Sequence, residues 1–197
     1  KYRFKDSIAM LRKSFYRVRK NRKAFLFLCA YFFYIDGVDT IIRMAASFGT
    51  TVGINSTTLL VILLVTQFIA FPFAIIYGKL AQIFKGKAML IAGICVYIVI
   101  CIFAFFLKTA REFWILSILV GSSQGGIQAL SRSYFAKMIP KENSNEFFGF
   151  YNIFGKFAAI MGPFLVGIVT QITGDVRNGV LSLILIFIVG VVLLLKD

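Results

Sequence analysis

The chain has 197 residues, of which 59% are hydrophobic and 16% aromatic, with 23 phenylalanines and a mean hydropathy of +0.87. A soluble chain of this length could not bury so much apolar surface, so the composition excludes an ordinary soluble domain and indicates several membrane spans. The absence of histidine excludes His-based zinc sites and Ser–His or Cys–His catalysis within the chain. The net charge of +14 is concentrated between apolar runs, which is typical of cytoplasmic membrane loops, and we expect no nucleic-acid partner, cofactor or metal.

The first 23 residues form a basic amphipathic segment. Its apolar residues recur at spacings of three and four: Phe4, Ile8, Leu11, Phe15 and Val18. Its lysines and arginines lie on the other faces of the predicted helix. This pattern predicts a cytoplasmic interfacial helix that lies on the anionic inner leaflet and contacts membrane lipids. A regulatory segment that binds a partner protein is the alternative.

Six membrane-spanning helices are predicted in a single domain over residues 24–197. The predicted spans are 24–46, 57–78, 88–107, 112–136, 146–172 and 178–196. Because the connections are short, neighbouring helices run antiparallel. Seventeen of the 22 lysines and arginines lie on the side of the N-terminus and three on the other side, which predicts that both termini are cytoplasmic. We expect the host membrane to be a bacterial cell membrane.

The first span contains three charges in the stretch YIDGVDTIIRM. Asp36, Asp39 and Arg43 fall within one sector of a helix, and Asp39 and Arg43 are spaced to form an ion pair. Asp36 then needs another partner, a bound cation or a proton, which suits it to proton coupling. Gly37 beside it weakens the helix. The alternative is a structural ion-pair cluster that fixes helix packing.

The stretch GKLAQIFKGK follows the second span and resembles the signature loop of the major facilitator superfamily. Gly78 is expected to allow close helix approach and Gly86 a tight turn, while Lys85 and Lys87 hold the loop at cytoplasmic headgroups. The superfamily's acidic residue is replaced by Gln82, which places a charge-based latch in this loop in doubt.

The fourth span carries a polar stripe and three glycines. Gln124, Gln128 and Ser131 share one helix face, whereas the glycines at 121, 125 and 126 remove side chains nearby. Small residues and amides at such positions either pack helices together or let a substrate approach. We interpret the glycines as packing residues and the glutamines as candidates to line a cavity.

The fifth span places Asn152 and Lys156 one turn apart on the same face. A lysine at this depth is costly unless it faces water, an acid or an anionic ligand, although it could also extend to the cytoplasmic edge. Gly162 and Pro163 predict a kink. Asn143 and Glu146 predict a capping box that opens this helix.

Three blocks together are similar to the vacuole-effluxer-like branch of the major facilitator superfamily. The blocks are YFFYIDGVDTII, GKLAQIFKGK and GGIQALSRSYFAKMIPKENSNEFFGFYNIFGKFAAIMGP, and the similarity extends from about residue 24 to 195. The resemblance implies that the chain is the C-terminal six-helix half of a twelve-helix transporter, with residues 1–23 in the central loop. Its partner would be the N-terminal half, and the resemblance to fungal members implies amino-acid efflux.

The sequence therefore predicts half of a secondary active transporter that moves a small solute by alternating access. The cavity is expected between the first, fourth and fifth spans, with a substrate and possibly protons contacting Asp36, Asp39, Arg43, Gln124, Gln128, Asn152 and Lys156. A non-transporting membrane scaffold is the alternative. A membrane-embedded aspartyl enzyme is disfavoured, because Asp36 and Asp39 share one helix and such dyads normally come from separate helices.

Overall fold

The computed structural model describes residues 15–196, which form α-helices without any β-strand. A short helical segment over residues 15–20 precedes the first long helix. The elements that follow are α1 (Arg22–Thr51), α2 (Ser56–Ile83), α3 (Gly86–Phe106), α4 (Ala110–Met138), a 3₁₀ turn (Lys141–Asn143), α5 (Ser144–Ala158), α6 (Met161–Thr173) and α7 (Val176–Lys196).

The described residues contain six candidate membrane spans, each long and apolar enough to cross a bilayer. They match the six predicted spans, with most ends extended by two to five residues. The fifth span is the exception to a continuous helix, because it is divided into α5 and α6.

Side-chain caps determine where several of these helices begin. The Asn21 side chain accepts a hydrogen bond from the Ala24 amide at the start of α1 (3.3 Å), and Asn55 does the same for Thr58 in α2 (2.8 Å). Thr109 and Glu112 form a reciprocal capping box at α4. Each cap satisfies backbone N–H groups that a helix leaves without partners at its first turn.

The capping box predicted for Asn143 and Glu146 is wrong. Neither side chain caps α5, because both accept hydrogen bonds from Arg17 Nη1, at 3.4 Å for Asn143 Oδ1 and 3.2 Å for Glu146 Oε1. A long-range partner has therefore replaced the local one that the sequence pattern indicated.

Residues 15–21 pack across the ends of α4 and α5. Val18 is fully buried, and the Asn21 amide donates to the Met138 carbonyl at the end of α4 (3.2 Å). Phe15 contacts Phe150 with ring centroids 5.9 Å apart. Val18 thus contacts protein, which corrects the prediction of a lipid-facing stripe at that position. Phe4, Ile8 and Leu11 lie outside the described residues.

Helices α2 and α4 pack at close range through glycines. A Cβ atom on Gly121 would lie 2.7 Å from the Thr66 carbonyl oxygen, and one on Gly125 would overlap the Ala70 carbonyl. The predicted packing role of these glycines is confirmed. Small residues allow such backbone approach, which is how helices associate within a membrane.

The expected roles of the two loop glycines differ from what the structure shows. A Cβ on Gly78 would meet no described atom within 4 Å, so Gly78 does not mediate close packing among these helices. Gly86 begins α3 rather than a turn with positive φ. Its missing side chain instead leaves room for the Tyr134 ring, 3.3 Å from where a Cβ would stand.

Candidate functional site

A polar cleft opens between α1, α4 and α5, the three spans that the sequence predicts to line a cavity. Its volume is about 420 Å³. The lining residues are Tyr31, Ile35, Asp39, Gln128, Arg132, Tyr151, Asn152, Gly155 and Lys156. Most of these side chains are polar, and a polar cavity within apolar helices is where membrane proteins place binding sites.

Helix α1 presents one of its faces to the cleft. Tyr31, Ile35 and Asp39 are spaced by four residues and therefore follow one another along that face. Tyr31 is buried and Asp39 is half-buried. The carboxylate of Asp39 consequently lies at the inner end of the row, with the aromatic residue nearer the start of the helix.

Helices α4 and α5 form the other walls. Gln128 and Arg132 are one turn apart on α4, and Asn152 and Lys156 are one turn apart on α5. All four side chains are exposed. They bring two amides and two cations to face the Asp39 carboxylate.

Stacked tyrosines form the apolar part of the cleft wall. The rings of Tyr31 and Tyr151 have centroids 4.2 Å apart and an interplanar angle of 20°. Gly155 makes this arrangement possible, because a Cβ at that position would lie 3.0 Å from the Tyr31 hydroxyl. The stack joins α1 to α5 at the site itself.

The three charges in the cleft form no close ion pair among the described residues. Asp39, Arg132 and Lys156 have no oppositely charged group within 4 Å there, although the charge of Arg43 acts on Asp39 from farther away. The Arg132 guanidinium lies 5.4 Å from the Phe148 ring centroid, a distance typical of cation–π contact. Unpaired charges in a membrane domain are costly, so this arrangement favours a ligand that carries both signs of charge.

These charges lie at different depths. Arg132 is six residues from the end of α4 and Lys156 twelve residues from the start of α5, which corresponds to about 9 Å and 18 Å along the helix axes. Asp39 is seventeen residues into α1, at about 25 Å. The cleft therefore presents Arg132 nearest to the helix ends, Lys156 farther in and the Asp39 carboxylate farthest in.

Asp36 does not line the cleft. Its side chain is only 1% exposed, and neither carboxylate oxygen has a hydrogen-bond partner within the described part of the chain. Asp36 is on α1 and faces the start of α6, where a Cβ on Gly162 would be 3.1 Å from Asp36 Oδ1. Of the two aspartates, only Asp39 belongs to the cleft.

Two further predicted site residues also lie elsewhere. Gln124 is buried at a separate, partly open pocket of about 50 Å³ with mostly apolar walls, and its Oε1 atom has no partner among the described residues. Arg43 is exposed, lines neither space and does not form the expected ion pair with Asp39.

The residues of the GKLAQIFKGK stretch lie at the α2–α3 connection. Gly78 and Gln82 are still within α2, so only Phe84 and Lys85 link the two helices. None of Gly78, Gln82, Lys85, Gly86 and Lys87 lines the cleft.

Arg132 and Tyr31 line the cleft but are not among the residues that the sequence predicts for the site. Arg132 is one of the seventeen basic residues that predict the cytoplasmic side. The periodicity could have identified it, because Gln124, Gln128 and Arg132 continue one stripe at steps of four. Tyr31 gave no such signal, since an aromatic residue in an apolar span is usually a packing residue.

Comparison with known proteins identifies relatives over most of the chain. A family model described as vacuole effluxer Atg22 like matches residues 3–196. An uncharacterized MFS-type transporter, YxiO of Bacillus subtilis, is 58% identical over 189 residues, which is 96% of this chain and 44% of that protein. Autophagy-related protein 22 of Vanderwaltozyma polyspora is 30% identical over 181 residues, 84% of this chain and 34% of that protein.

The chain thus spans less than half the length of these two relatives. The family match extends through all six spans and includes every cleft-lining residue. The chain belongs to the vacuole effluxer Atg22-like family.

Proposed function

We propose that the chain is part of a secondary active transporter that moves a small solute across a membrane by alternating access. The observation that carries this proposal is the cleft of about 420 Å³ between α1, α4 and α5, whose three charges form no close ion pair among the described residues. A space of this size accommodates a small molecule. Its charges lie within helices that are otherwise apolar, where ionisable residues are rare unless they serve a function.

Amino acids are the substrate class that fits this charge pattern best. The carboxylate of an amino acid would pair with Lys156 or Arg132, and its ammonium group with Asp39. The amides of Gln128 and Asn152 can donate to or accept from either group. Family membership supports the export of a solute, since the matching model describes an effluxer, whereas the amino-acid class is proposed from the charge pattern.

The other wall of the cavity would come from the rest of the protein. This chain covers 44% of the YxiO length, which leaves room for a second six-helix half. The exposed apolar residues of α2 and α6, such as Phe68, Phe71 and Phe164, would then contact that half or lipid tails. Both ends of the chain would face the cytoplasm of a bacterial cell.

Two further regions would take part in the transport cycle. The α2–α3 connection with Gly78, Gln82, Lys85, Gly86 and Lys87 would change its packing between the two states, as its resemblance to the superfamily loop implies. Gln124 and Arg43 would approach the substrate only in another state, because in this one they lie outside the cleft.

Lys156 provides the most direct test of the substrate site. The full-length protein in proteoliposomes should take up radiolabelled amino acids, and Lys156→Gln should reduce uptake at least about tenfold, because it removes the cation that would pair with the substrate carboxylate. Lys137→Gln is the matched control, since Lys137 is exposed near the end of α4 and does not line the cleft. Equal uptake by the two variants would contradict the proposed site.

Asp36 is the proposed proton-coupling residue. It is buried without a hydrogen-bond partner among the described residues, so taking up a proton would relieve an uncompensated charge. Asp36→Asn should abolish the dependence of uptake on an imposed pH gradient while substrate exchange continues. If pH-driven uptake is unchanged in this variant, Asp36 does not carry the proton.

A further inference from the structure

The break in the fifth span leaves α6 without a capping side chain from the residue that precedes it. Helix α5 ends at Ala158, α6 begins at Met161, and Ile160 supplies no side-chain hydrogen bond to the new helix. The first N–H groups of a helix have no partner within it, and together they carry a partial positive charge. At this depth in a membrane domain, water is scarce and such groups need a protein partner.

Asp36 has the opposite need, because its carboxylate oxygens are acceptors without donors. Both carboxylate oxygens are buried and lack a hydrogen-bond partner in the described part of the chain. The peptide N–H of Gly162, the second residue of α6, faces this carboxylate, although the geometry falls short of a full hydrogen bond. Unpaired acceptors on α1 therefore meet unpaired donors on α6.

Two local features hold these groups together. Gly162 has no side chain, and a Cβ there would overlap Thr40 Oγ1. Thr40 in turn donates a hydrogen bond to the Asp36 carbonyl (2.6 Å), which fixes its hydroxyl beside Gly162. The Asp36 carboxylate is the charged acceptor beside the α6 amides.

We propose that Asp36 is a positioning residue that caps the N-terminus of α6 from the neighbouring helix and so holds the second half of the fifth span against α1. An N-cap acceptor normally precedes its helix in sequence, whereas here it comes from another span. The capping is strongest with the anionic carboxylate, because the anion interacts favourably with the helix dipole.

The proposed cap lies close to the cleft, because α1 and the fifth span contribute residues to both. Asp36 and Asp39 lie three residues apart on α1, while α5 carries Asn152 and Lys156 just before the break. Uptake of a proton by Asp36 would weaken the cap and allow α6 to move relative to α1. The inference concerns this junction and holds whether or not the cleft binds amino acids.

Few other ionisable groups can influence this junction. Asp39 and Arg43 are the nearest on α1, and α6 itself carries none. Arg132 of α4 and Lys156 of α5 line the cleft, and the ionisable residues of α7 are Arg177 and Lys196 near its ends.

Hydrogen–deuterium exchange of the full-length protein tests the cap without any transport assay. We expect Asp36→Leu to reduce the protection of the amides of Met161 and Gly162 by about five- to thirtyfold, the usual range for loss of a cap. Asp36→Asn keeps one acceptor oxygen and should cause a smaller loss. The matched control is Asp39→Asn, which changes the neighbouring cleft carboxyl and should leave these amides unchanged.

The pH dependence separates capping from simple packing. After correction for intrinsic exchange, wild-type protection at these amides should fall as the pH is lowered, whereas protection in Asp36→Asn should not depend on pH. The proposal is wrong if Asp36→Leu leaves these amides as protected as in the wild type, or if both proteins show the same pH dependence. Normal pH-driven transport together with the expected exchange result would refute proton coupling but leave the cap intact.

Discussion

Asp36 and Asp39 are one turn apart on α1, yet they have opposite surroundings. Asp39 is half-buried and borders an open cleft with two cations, whereas Asp36 is 1% exposed and faces the start of α6. The same side-chain chemistry therefore serves two different regions. The cleft and the α1–α6 junction thus lie on adjacent sides of one helix, so the roles proposed for the two aspartates can be tested separately.

Alanine substitutions at two glycines of the fifth span should differ most in their effect on stability, because one glycine borders the cleft and the other lies at the α1–α6 junction. Gly155→Ala would place its Cβ 3.0 Å from a hydroxyl that borders the open cleft, so the tyrosine can shift. Gly162→Ala would overlap Thr40 in the closed junction. We expect Gly162→Ala to cost about 1–3 kcal/mol and Gly155→Ala to change stability by less than about 1 kcal/mol.

The thermal unfolding midpoint of the purified full-length protein measures this pair. Because both changes add one methyl group to a helical glycine, each variant is the other's control. Equal midpoints for the two variants would show that the junction accommodates an added methyl group as easily as the cleft does, which would contradict the expected difference.

Arg132→Gln should have a smaller effect, confined to the cleft. Arg132 lies near the outer end of the cleft and is exposed, so its charge is partly screened. We expect a two- to fivefold increase in the KM for transported amino acids, roughly the contribution of one exposed charge, with no change in unfolding midpoint. Phe148→Leu should produce a similar shift if the ring positions the guanidinium. A normal KM in both variants would remove Arg132 from the site.

The sequence predicted the helical class and all six spans, because long apolar runs and charge placement are local signals. It also selected Asp39, Gln128, Asn152 and Lys156, which the structure brings to one cleft. It could not separate Asp36 from Asp39, since a shared helix face does not reveal which neighbouring helix covers each residue. The Asn143 and Glu146 capping prediction failed for the same reason, because Arg17 comes from 126 residues earlier in the chain.

The smallest expected effect concerns Arg17 and Glu146, whose ion pair joins the segment before α1 to the start of α5. The side chains are 40% and 35% exposed, so we expect a coupling energy below about 1 kcal/mol. In a double-mutant cycle, Arg17→Glu and Glu146→Arg should each lower the unfolding midpoint slightly, and the combined exchange should restore it. Strict additivity of the two changes would show that this contact does not hold the cleft-bearing helix.

Cysteine accessibility tests the central claim, a water-filled cleft that binds a solute, most directly. Cys29, Cys95 and Cys101 would first be replaced in the full-length protein, together with any cysteine outside this chain. Asn152→Cys in the cleft should then react with a membrane-impermeant thiol reagent in inside-out vesicles, and a transported amino acid should protect it. Ser123→Cys, at a fully buried position outside the cleft, should stay unreactive; if Asn152→Cys is equally unreactive, the cleft is not a transport pathway and a scaffold role becomes the better account.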